Sequence, residues 1–76
     1  MVTAELEHLI KMANQIANNI AAGESEQFVI EKAADHIQRF WAGPMKQQIL
    51  QYIECGGEGL EPLALSALQQ LLKPSL

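Results

Sequence analysis

Ala33-Ala34-Asp35-His36-Ile37-Gln38-Arg39-Phe40-Trp41, followed at once by Ala42-Gly43-Pro44-Met45-Lys46-Gln47-Gln48-Ile49, is the stretch on which the reading of the fold turns. Ile30, Ala33, Ala34, Ile37, Phe40 and Trp41 recur at steps of three and four, the period of a helix with one apolar face. A parallel stripe of Val29, Ala33 and Phe40 widens that face, as expected of the central helix in a small bundle. Gly43, and the restriction Pro44 places on the residue before it, end the helix at Trp41 or Ala42 and impose a short corner. The only Trp and one of the two Phe therefore sit side by side at a helix end. Adjacent helical positions point about 100° apart, so in a thin domain both rings do not easily reach one core. Large aromatics at such spacing are more often core than contact. One of this pair is nevertheless expected to have another duty, and Trp is the side chain most enriched at binding hot spots.

Working outward, Leu6, Leu9, Ile10, Ala13, Ile16, Ala17 and Ile20 place a first helix over Thr3 to Ala22. Thr3 caps its start, Glu5 and Glu7 suit the positive end of its dipole, and Gly23 stops it. Ser25 caps the second helix. Pro44 reads as the first residue of a third, with Met45, Ile49, Leu50, Tyr52 and Ile53 on its apolar side and a stop by Cys55. Gly56, Gly57 and Gly59 then form a loop. Glu61-Pro62 reads as cap and first turn of a fourth helix bearing Leu63, Leu65, Leu68, Leu71 and Leu72, closed by Pro74. No alternating strand pattern or internal repeat is present, so the expected fold is all-α: a single domain over residues 1–76, a small bundle of three to four short helices.

Seventy-six residues bury only about 60–65% of the surface exposed on unfolding, which makes for modest stability. One Cys excludes a disulfide framework and points to a reducing, cytoplasmic setting. A net charge of −4 with only five Lys and Arg leaves no basic patch to neutralise a row of phosphates, so nucleic-acid binding is not expected. No apolar run approaches the ~20 residues of a membrane span, and Glu5 and Glu7 precede any basic residue, unlike a signal peptide. The expectation is a protein that is neither exported nor membrane-bound, with some apolar surface left for a partner.

The titratable groups form no catalytic set. His8 and His36 fall on different helices without a second ligand at metal spacing and read as surface or boundary residues. Cys55 has no neighbouring base and reads as a half-buried small residue. The Gly56-Gly57-Glu58-Gly59 loop follows a helix, lacks the Lys and Ser/Thr of a phosphate cradle and carries carboxylates, so it reads as a tight turn. Asn14 and Gln15 lie at the edge of the first apolar stripe. Two readings stand open for them: a solvated face, or amides bonded to backbone at a helix end. No metal, flavin or iron–sulfur ligand set can be completed, so no cofactor is expected.

Three blocks together carry a resemblance over nearly the whole chain: Met12-Ala13-Asn14-Gln15-Ile16-Ala17; His36-Ile37 with Phe40-Trp41 and Met45 four residues on; and Gly56-Gly57-Glu58-Gly59-Leu60-Glu61-Pro62-Leu63. In that order and spacing they resemble the delta subunit of NAD-dependent, molybdenum-containing formate dehydrogenases. The resemblance implies a cytoplasmic assembly whose larger subunits carry the molybdenum cofactor, iron–sulfur clusters, flavin and NAD site. It implies for this chain a non-catalytic accessory role, as a subunit or assembly factor acting by protein contact. The chain departs from the family pattern at Ala42-Gly43-Pro44, where an acidic residue, Pro and Arg are common, and at Asn18, Asn19 and Ile20, where aromatics are common. Partner binding is expected at Phe40, Trp41, Pro44 and Met45, with Gly56, Gly57 and Leu60 beside them, against the larger formate dehydrogenase subunits. The alternative is a free-standing helical adaptor or homodimeric protein-interaction domain unrelated to formate metabolism, using the same corner for an unrelated partner.

Overall fold

The computed structural model describes residues 3–72 and consists of four helices in chain order: α1 (Ala4–Ala21), α2 (Glu26–Phe40), α3 (Gly43–Glu54) and α4 (Pro62–Leu72), with no strand among the described residues. The all-α expectation is met with all four helices present. Pro74, expected to close α4, lies outside the described residues.

Local chemistry sets each boundary. Thr3 Oγ1 accepts from the Leu6 amide at 3.0 Å and Ser25 Oγ accepts from the Phe28 amide at 3.2 Å, so α1 and α2 start on side-chain caps. Gly23, at φ 76°, turns the chain out of α1. Trp41 is the C-cap of α2, its amide donating to Ile37 O at 3.1 Å before an extended Ala42 leads into α3. Pro44 occupies the second position of α3, one residue later than expected. The substitution of ring for N–H is harmless there, because the first four amides of a helix have no partner within it. The Nζ of Lys46 donates to Gln38 O at 3.1 Å, placing a cation on the last turn of α2.

The main core gathers Leu9, Ala13 and Ala17 of α1, Val29 and Ile37 of α2, Trp41, Ile49 and Ile53 of α3, and Ala64 and Leu68 of α4. A second cluster of Ala33, Ala34 and Ala67 forms an alanine seam between α2 and α4. Two expectations are corrected. The central position belongs to α1 and α4, each packed on the three other helices, whereas α2 packs chiefly on α4 and α1. Helix α4 carries no charged residue, which suits it to burial on several sides. Its deepest positions are Ala64 and Ala67 with Leu68, whereas Leu72 is exposed. Small side chains at a helix contact let the backbones come close, so an apolar face drawn through leucines alone misplaces the seam.

Candidate partner surface

The corner between α2 and α3 separates the two adjacent aromatics. Trp41 is buried, 5% exposed, and joins the main core; Phe40, the last residue of α2, is 71% exposed. The two side chains leave the end of α2 about 100° apart, so that Trp41 reaches the main core while Phe40 faces solvent. This corrects the apolar stripes drawn through Phe40, and of the two aromatics it is Phe40 that keeps its ring in solvent. Pro44 is exposed beside the corner, and Met45 is half-buried against the core.

The glycine loop does not lie beside this corner. Helix α3 stands between them, and its 12 residues hold Pro44 and Gly56 about 18 Å apart along its axis. The loop is a turn, as expected, closed by the Gly57 amide donating to Tyr52 O at 3.2 Å and the Gly56 amide to Ile53 O at 3.1 Å. Gly57 is buried, with φ 67°, and a Cβ there would lie 2.9 Å from Leu65 Cδ1. Its place is therefore in the packing of α3 on α4 and not at a surface. Gly56 is exposed and Leu60 half-buried.

Asn14 settles one of the readings left open. Its Nδ2 donates to Gly59 O at 3.0 Å and its Oδ1 accepts from the Glu61 amide at 2.9 Å, so both halves of the amide grip the loop that leads into α4. Tyr52 adds a third tie, its hydroxyl donating to Glu58 O at 2.6 Å. Gln15, by contrast, is exposed. Cys55 is also exposed, contrary to the half-buried expectation: it is the C-cap of α3, where its amide is used by Tyr52 O and its side chain points away from the bundle.

His8 and His36 are both exposed. His8 borders an open depression of about 490 Å³ with Glu7, Lys11, Tyr52 and Glu58, which mixes charges of both signs. His36 stands against Phe40, ring centroids 4.9 Å apart. Toward the other end of α2, Phe28 is 39% exposed and the Lys32 ammonium lies 5.5 Å from its ring centroid. Phe28 and Lys32 were not among the residues singled out by sequence. The signal that marks them is the four-residue step Phe28, Lys32, His36, Phe40, one row along a helix surface. Among the described residues no group of three His, Cys, Asp or Glu side chains is placed to hold a metal ion, and no helix is long and apolar enough to cross a membrane.

The family model for the NADH-dependent formate dehydrogenase delta subunit, FdsD, matches residues 8–68, from the first turns of α1 into α4. No curated protein and no solved structure matches the chain.

Proposed function

Because the chain belongs to the formate dehydrogenase delta subunit family, we propose that it is a non-catalytic accessory subunit or assembly factor of a cytoplasmic, NAD-dependent molybdenum formate dehydrogenase, acting by contact with the larger subunits. The observation that carries this reading is the extent of the family match: residues 8–68 include all of α2 and α3, most of α1 and the first part of α4, so the matched unit is the bundle itself and not an appended motif. A second support is the exposure of Phe40, since a large ring left in water beside a rigid corner is the kind of side chain that anchors an interface. In this reading Phe40, Pro44 and Met45 form the contact, Trp41 buttresses it from the core, and Gly57 holds its shape through the packing of α3. Gly56 and Leu60, at the other end of α3, belong to the contact only where the partner spans that helix.

The test is to produce the larger formate dehydrogenase subunits with and without this chain. The expected result is that the chain copurifies with them, or that the complex formed in its absence has lower formate-dependent NAD reduction and less bound cofactor. Full activity and full cofactor content without the chain, combined with no association, would refute the accessory role.

A further inference from the structure

We draw no further inference here: the strongest candidate, the exposed aromatic row from Phe28 to Phe40 on the outward side of α2, is an unpartnered face, and nothing in the structure shows what covers it.

Discussion

Replacing Trp41 and Phe40 by Ala, one at a time, is expected to have opposite consequences for two neighbouring residues of similar chemistry. Trp41 is 5% exposed and packed in the main core, so truncation removes most of a large buried side chain and leaves a void, at a cost of about 3–5 kcal/mol. A domain of 76 residues has a total stability of about 4–11 kcal/mol. The loss is thus about a quarter or more of everything that holds the bundle together, and at about 4–8 °C per kcal/mol it lowers the melting temperature by about 12–40 °C. Phe40 is 71% exposed and ends its helix, so Phe40→Ala should stay within about 0.5 kcal/mol of wild type. Urea unfolding followed by circular dichroism, with both variants compared at the same slope, measures the difference. A Trp41→Ala protein melting cooperatively within about 1 kcal/mol of wild type, or a Phe40→Ala protein as unstable as Trp41→Ala, would refute the division of labour at the corner.

Three further outcomes follow from the loop and the caps. Gly57→Ala combines a positive φ with a Cβ 2.9 Å from Leu65 Cδ1 and should cost about 2–4 kcal/mol, whereas Gly56→Ala, with open space around it, should cost only the conformational part, about 1–2 kcal/mol; equal losses in urea unfolding would contradict the packing argument. Asn14→Ala removes two hydrogen bonds to the loop and should cost about 1–3 kcal/mol, with hydrogen exchange accelerated at the Glu61 amide; unchanged exchange there would show the clasp to be dispensable. Ser25→Ala and Thr3→Ala should each cost about 1 kcal/mol, and a combined loss well below the sum would mean that the caps are not independent.

Helix placement was legible because it depends on local chemistry. Thr3, Ser25, Gly23 and Pro44 act within one turn of themselves, and the stripe Leu6, Leu9, Ile10, Ala13, Ile16, Ala17, Ile20 lies on the covered side of α1 throughout. What did not follow from spacing alone was which large residue turns in at an end. Periodicity assigns Phe40 to the apolar stripe, but a stripe is covered only as far as the neighbouring helices extend, and that length is a tertiary property. The alanine seam was hidden for a related reason: hydrophobic patterning weights residues by size, whereas close helix approach selects for lack of it. The candidate surface was half visible. Phe40 and Pro44 were reached through the corner; Phe28 and Lys32 were passed over because an aromatic beside charged residues on the solvated side of a helix resembles ordinary surface until its exposure is known.

The clasp made by Asn14 has a bearing on how the chain is made as well as on how it stands. Its two bonds close on backbone 45 and 47 residues downstream, so α1 emerges from the ribosome long before the groups its amide will hold. The other helix central to the core, α4, is the last to be synthesised. Early in translation there is consequently no stable pair for α1 to join other than α2, and the apolar sides of α1, α2 and α3 remain uncovered until the loop and α4 arrive. The bundle is therefore completed only when α4 arrives, and until then the nascent chain exposes part of its core to other proteins.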